Sequence, residues 1–195
     1  NLKFMNIKKN KIFLDSYFSK MHKTLSLDKN LHDNIVKTKV LFKKCSKRKG
    51  RVVFFGNGGS ATIASHLSVD LNKNAKIQSI SFNDPGIITC YANDFGYKNW
   101  ISKTIELSLT NKDVVVLISS SGKSLNILNA AKYAKKKNIQ TITLSGMSKK
   151  NNLKKMGLIN FWVDSKSYNI IETAHQFYMM AVIDLIIGKA EYKAN

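Results

Sequence analysis

Apolar residues recur at helical spacing through Ile12, Phe13, Tyr17 and Phe18, and again through Leu31, Ile35, Val36, Val40 and Leu41. That pattern predicts two amphipathic helices over about residues 11–48. Beyond residue 50 it gives way to short strand-forming segments, each followed by a helical stretch. Residues 52–55 lead to a helix over 61–71, and 77–80 to helical segments between Gly86 and Leu109. Residues 114–118 lead to a helix over 125–136, and 141–144 to a short helix near Met156. The last run, 159–163, leads to a long helix from Tyr168 to about Lys189. Five strands separated by helices predict a mainly parallel sheet covered on both faces. Right-handed crossovers make this a doubly wound α/β fold with two N-terminal helices. Pro85 is the one proline, and no linker or repeat divides the chain. A single domain over 1–195 is expected, its α/β core at about 51–190.

Two strand ends carry the candidate chemistry. One reads Gly56-Asn57-Gly58-Gly59-Ser60, the other Ser119-Ser120-Ser121-Gly122-Lys123-Ser124. A strand that stops at such a loop and restarts as a helix aims N–H groups and hydroxyls into one small space, with the positive end of the helix dipole behind it. One such loop suggests an anion site; two suggest a phosphorylated small molecule held between them. In a flavodoxin-like order the first and third strands are neighbours at the switch point, which brings both loops to one place on the carboxyl edge. Nucleotide readings fare worse. The segment Gly56–Ala61 fits the dinucleotide pattern G-x-G-x-x-A, but the second strand ends Ile80-Ser81-Phe82-Asn83 with no carboxylate for a ribose. Gly122-Lys123-Ser124 looks like the tail of a P-loop, yet the required upstream glycine is Leu117. No nucleotide cofactor is expected.

Composition adds bounds. At 195 residues and 44% hydrophobic content the chain can bury a full core. The net charge of +20 is almost wholly lysine, with only Arg48 and Arg51 supplying guanidinium groups. The lysines are spread out, so they favour anionic ligands without presenting an arginine-rich reading face, and no nucleic-acid partner is expected. The apolar stretch from Met179 to Ile187 is short and carries Asp184, which predicts a packed helix and no membrane partner. Cys45 and Cys90 are too few and too isolated for a disulfide framework or thiolate metal site, and fit a reducing cytoplasm.

The motifs, taken in order, resemble those of the sugar isomerase (SIS) domain family, and within it the phosphoheptose isomerases. The matching residues are Gly56–Ala61, His66, Ala92-Asn93-Asp94-Phe95-Gly96, Ser119–Ser124 and Glu172-Thr173-Ala174-His175. The resemblance implies a phosphosugar whose phosphate sits in the serine loop, and a homotetramer with the N-terminal helices at its centre and active sites shared between subunits. Ser119, Ser120, Ser121 and Ser124 each offer a hydroxyl, and Gly122 lets backbone amides approach closely. Helix capping is the bland role for Ser124. Asn57, Gly58, Gly59 and Ser60 line the sugar side. Asp94, by resemblance, bonds sugar hydroxyls, with turn formation as its alternative. Lys123 adds charge near the phosphate or faces solvent.

Aldose–ketose interconversion moves a proton between adjacent carbons, so a base must reach the carbon-bound hydrogen while an acid or metal steadies the oxyanion. In the family the resemblance assigns the base to a glutamate four residues after the helix histidine. A second histidine lies eight residues after a glutamine in the last helix, with zinc among these groups. Here those positions hold Asp70, Glu172 and Met180, so all three depart. His66, Asp70 and Glu172 form the expected catalytic set. His66 with Asp70, and Glu172 with His175, each share a helical face and together offer two histidines and two carboxylates for zinc. Three readings stand: an isomerase of sedoheptulose 7-phosphate or a related sugar, a phosphosugar-binding or protein-binding regulator that lost the chemistry, and an isomerase of another phosphosugar.

Overall fold

The computed structural model describes residues 7–191. Helices α1 (Ile7–Leu25) and α2 (Lys29–Lys47) precede the first strand, and Asp28 caps α2 by accepting from Leu31 N at 2.7 Å. Five strands follow: β1 (Val52–Phe55), β2 (Ser79–Ser81), β3 (Val114–Ser119), β4 (Gln140–Ser145) and β5 (Ile159–Trp162). Between and after them lie α3 (Gly59–Lys73), α4 (Pro85–Phe95), α5 (Trp100–Ser108), α6 (Leu125–Lys136) and α7 (Tyr168–Ile187). All strand pairs are parallel, in the order β2-β1-β3-β4-β5, as the sequence pattern predicts.

Alternation along β1 and β3 splits the core in two. Val52, Phe54, Val114, Val116 and Ile118 face α2, α3 and α7, whereas Val53, Phe55, Val115 and Leu117 face α5 and α6. Both strands are buried on both sides, which explains their unbroken apolar runs. The second strand sits later than expected. Ser79 opens it because the Asn72 side chain grips both its N–H and its carbonyl, leaving Ile77 buried ahead of the strand. Helix α7 is long and apolar enough, by length and composition, to cross a membrane. Here it is a core helix with one face against the sheet, ended by Gly188 at φ 90°. Helix α1 buries none of its side chains, and Phe13 and Phe18 are about two-thirds exposed.

The amino end of the β1–β3 pair is clamped by one carboxylate. Asp113, 2% exposed, accepts from Arg51 N at 2.7 Å and from Thr110 N at 2.8 Å, with the Arg51 guanidinium 3.6 Å away. This fixes the register of the two strands that deliver both loops. Asp113→Ala strips two backbone amides of their acceptor and is expected to cost about 3 kcal/mol, read as a lowered urea midpoint at unchanged slope.

Candidate functional site

Adjacent parallel strands in register, Phe55 beside Leu117, release their chains at the same edge of the sheet. The chain leaving β1 turns into α3 on one face, and the chain leaving β3 turns into α6 on the other. That divergence opens a crevice between two helix N-termini, whose first-turn N–H groups have no partner within the helix. The first loop is shorter than its motif, because Gly59 and Ser60 already form the first turn of α3. Gly58 caps that helix at φ 53°, with open space where a side chain would stand.

The serine loop is a tight turn, Gly122 N donating to Ser119 O at 2.9 Å. Gly122 adopts φ +63°, and the Asn151 side chain occupies the space a Cβ would need. Asn151 is itself held by bonds to Ser148 O at 2.8 Å and Gly146 O at 3.2 Å. The four serines are not equivalent. Ser119 and Ser124 face each other, Oγ to Oγ, at 3.0 Å; Ser124 stands at the N-cap of α6 but makes no capping bond, so the bland role fails for its side chain. Ser121 Oγ accepts from Lys123 N at 3.2 Å, and Lys123 itself is exposed. Ser120 Oγ donates to Glu172 Oε1 at 3.4 Å.

Glu172 joins the two loops, since its carboxylate also lies where a Cβ on Gly59 would be. A second link is an amide pair. Asn57 Nδ2 donates to Asn126 Oδ1 at 3.0 Å, and Asn126 Nδ2 returns a bond to Asn57 Oδ1 at 2.8 Å. Tyr97 Oη adds a 3.0 Å bond to the same Asn57 oxygen. Sequence reasoning passed over Asn126 and Tyr97. An asparagine in the first turn of a helix reads as a surface residue, and only its 2% exposure marks it out.

Further along, α3 packs beside α7. His66 Nε2 lies 3.2 Å from Asp70 Oδ2, an acceptor, and therefore carries a proton, while the Gln176 side-chain amide lies 3.0 Å from His66 Nδ1. Asn74 Nδ2 takes the other Asp70 oxygen at 3.3 Å. Gln176 is four residues from Glu172 and shares its face of α7. His175 does not, and here the expected metal set requires correction. Its ring is fully buried, with Nε2 donating to Ser145 O at 3.0 Å, on the side of α7 turned to the sheet. The three-residue step from Glu172 turns only about 300° and falls short of the row that meets α3, which the four-residue step to Gln176 reaches. Both ring nitrogens of His66 are engaged, and among the described residues no three His, Cys, Asp or Glu side chains gather to hold a metal. Within the protomer the four expected ligands do not converge on one point, because His175 faces the sheet. Asp94 lies in the last turn of α4, exposed, beside Asn93 Nδ2 at 3.0 Å and Cys90 Sγ at 3.8 Å; within the protomer it joins neither loop, and it forms no turn.

Comparison with known proteins places these features in a family. A model of the SIS domain matches residues 16–146. The phosphoheptose isomerase of Buchnera aphidicola subsp. Schizaphis graminum is 32% identical over 168 residues, covering 84% of this chain and 86% of the relative. Two solved structures share the fold. A phosphoheptose isomerase from Francisella tularensis superposes with a TM-score of 0.83 at 23% identity, over 95% of this chain and all of that one. A phosphoheptose isomerase from Neisseria gonorrhoeae gives 0.80 at 24%, over 92% and 98%.

Buried His175 makes stability depend on pH. Burial pushes its pKa down to about 4 from the ordinary 6.5. The folded ring stays neutral while the unfolded one takes a proton below pH 6.5. Its contribution is therefore complete above about pH 6.5 and is lost as pH falls towards 4. Urea unfolding at pH 7.5 and pH 5 is expected to show a loss of about 2 kcal/mol from this group, absent in His175→Gln.

Proposed function

The chain belongs to the SIS domain family, on its phosphoheptose isomerase branch, and from that premise we propose that it interconverts the aldose and ketose forms of a sugar phosphate such as sedoheptulose 7-phosphate. The observation that carries this reading is the meeting of the two loops, fastened through Asn57–Asn126 and Glu172. Ser119, Ser121 and Ser124 supply hydroxyls to the phosphate, and the first turns of α3 and α6 supply N–H groups and dipoles. Ser120 is committed to Glu172 and steadies that carboxylate instead.

From the loops, facing groups on α3 and α7 form a strip: Gly59 by Glu172, then His66 by Gln176. One turn beyond lie Asp70 and Met180. A sugar anchored by its phosphate extends along this strip and brings its carbonyl end towards His66 and Asp70. Asp70 takes the carbon-bound proton, and His66 Nε2–H holds the carboxylate in place. Asp94 reaches the sugar only in an assembly. Helix α1 supports such an assembly, because its exposed Phe13 and Phe18 need a partner, and Phe13 with Tyr17 borders a groove of about 1190 Å³ between α1, α2 and the start of α7. The homotetramer with shared sites, and a cytoplasmic setting with both cysteines free, belong to the same reading. One observation favours the second reading, a phosphosugar-binding regulator: Met180 carries no proton and packs against the core.

Purified protein is expected to isomerise sedoheptulose 7-phosphate, followed by NMR, with turnover surviving chelation. Asp70→Asn should lower kcat at least a hundredfold, by roughly the usual worth of a positioned base, while thermal stabilisation by the substrate persists. Stabilisation without turnover in the wild type selects the regulator. Ser119→Ala with Ser121→Ala should remove the stabilisation altogether; unchanged affinity would take the serine loop out of the site.

A further inference from the structure

We infer that Asn126, through a buried amide pair, fixes Asn57 as a dedicated hydrogen-bond donor to the bound phosphosugar. The inference rests on the phosphosugar reading above. A primary amide offers two donors and one two-lone-pair acceptor, so a free Asn57 could serve either kind of ligand atom. Here the choice is made by backbone. Ile127 N–H, which can only donate, lies 3.0 Å from the Asn126 side-chain oxygen and so establishes which atom is the oxygen. Opposite that oxygen, at 3.0 Å, the Asn57 atom must be nitrogen. Asn126 Nδ2 then meets Asn57 Oδ1 at 2.8 Å, and Tyr97 Oη fills the remaining lone pair at 3.0 Å. One N–H on Asn57 is left without a partner among the described residues. A spare donor beside two helix N-termini suits a phosphate or sugar oxygen and rejects a group that must itself donate.

Asn126 is therefore a positioning residue, acting on ligand only through Asn57. It lies in the first turn of α6, 2% exposed, so it also pins the serine-loop helix to the first loop. Tyr97, on the connection between α4 and α5 and 56% exposed, is the outer member of the same chain of bonds.

The test is a double-mutant cycle read by calorimetric titration with inorganic phosphate and with sedoheptulose 7-phosphate. Asn126→Ala and Asn57→Ala are each expected to weaken binding of the sugar phosphate about tenfold, the worth of one charge-assisted bond. The double variant is expected to stay within about twofold of Asn57→Ala, since the second loss removes nothing further. Wild-type affinity in Asn126→Ala, or two effects that multiply, overturns the inference. A merely structural role would lower Tm in Asn126→Ala with the affinity of the folded fraction unmoved, and that result also overturns it. Should Asn126→Ala not fold, Asn126→Asp replaces it. Its carboxylate still accepts from Ile127 N–H and suits a helix first turn, but it presents an acceptor to Asn57 Oδ1. It should weaken binding more in the wild-type background than in Asn57→Ala; equal losses in both would reflect charge alone and overturn the inference. A wild-type protein that binds neither probe refutes the phosphosugar reading itself, whereas binding with Asn126 variants unaffected refutes only this inference.

Discussion

The parallel pairing of β1 with β3 is the constraint on which the site depends. These strands are separated by about sixty residues of sequence, yet they must lie side by side and end level, because each delivers one of the two loops that meet at the proposed site. The pairing is secured at both ends by buried polar groups. Asp113 ties the amino ends, and the Asn57–Asn126 amides tie the loops beyond the carboxyl ends. Apolar burial alone would leave the register free to slip, and a one-residue slip would send Val53 and Phe55 to the wrong face. Buried bonds of this kind specify one alignment because any other leaves their members unpaired.

Glu172 brings a negative charge to the seam between two positive helix ends. That location is favourable for a carboxylate in the absence of ligand, for the reason that makes it favourable for phosphate. The carboxylate is held on the Gly59 side and by Ser120, leaving Ser119, Ser121 and Ser124 turned to the rest of the loop. A glutamine at this position would add a donor; a glutamate adds only acceptors. On the proposed function, hydroxyls and backbone are the groups offered to a phosphate, and Glu172 offers acceptors to sugar hydroxyls beyond it.

Much of this was legible in the sequence. All five strands, their parallel order and the convergence of the two loops follow from strand-forming segments alternating with helices, crossover handedness and the glycines at strand ends. What escaped it was set by side-chain direction on packed helices. Glu172 and His175 share a face on a helical wheel, but a neighbouring helix samples a narrower row, and the four-residue step to Gln176 is the one that meets His66. His175 was misplaced for that reason. Asn126 and Tyr97 escaped because an amide or a phenol in a loop-helix junction carries no periodic signal; its role appears only when a distant partner is in place. The shift of β2 to Ser79 has a similar origin, since Asn72 reaches the strand from the preceding helix.

The departures from the phosphoheptose isomerase pattern are distributed in a way that has a physical cause. The grip is built from backbone amides, glycines and hydroxyls at the ends of buried strands, where a change in backbone shape would disturb the core as well. The groups that would move protons sit on the half-buried facing sides of α3 and α7, where Asp70 is tied to His66 and Asn74. Substitutions there leave packing intact: Met180 simply joins the apolar cluster beneath it. On the proposed function, phosphate recognition and proton transfer are thus carried by different parts of the fold, with different tolerance to change. A chain of this architecture can alter its chemistry, or lose it, while the cradle between β1 and β3 stays in working order.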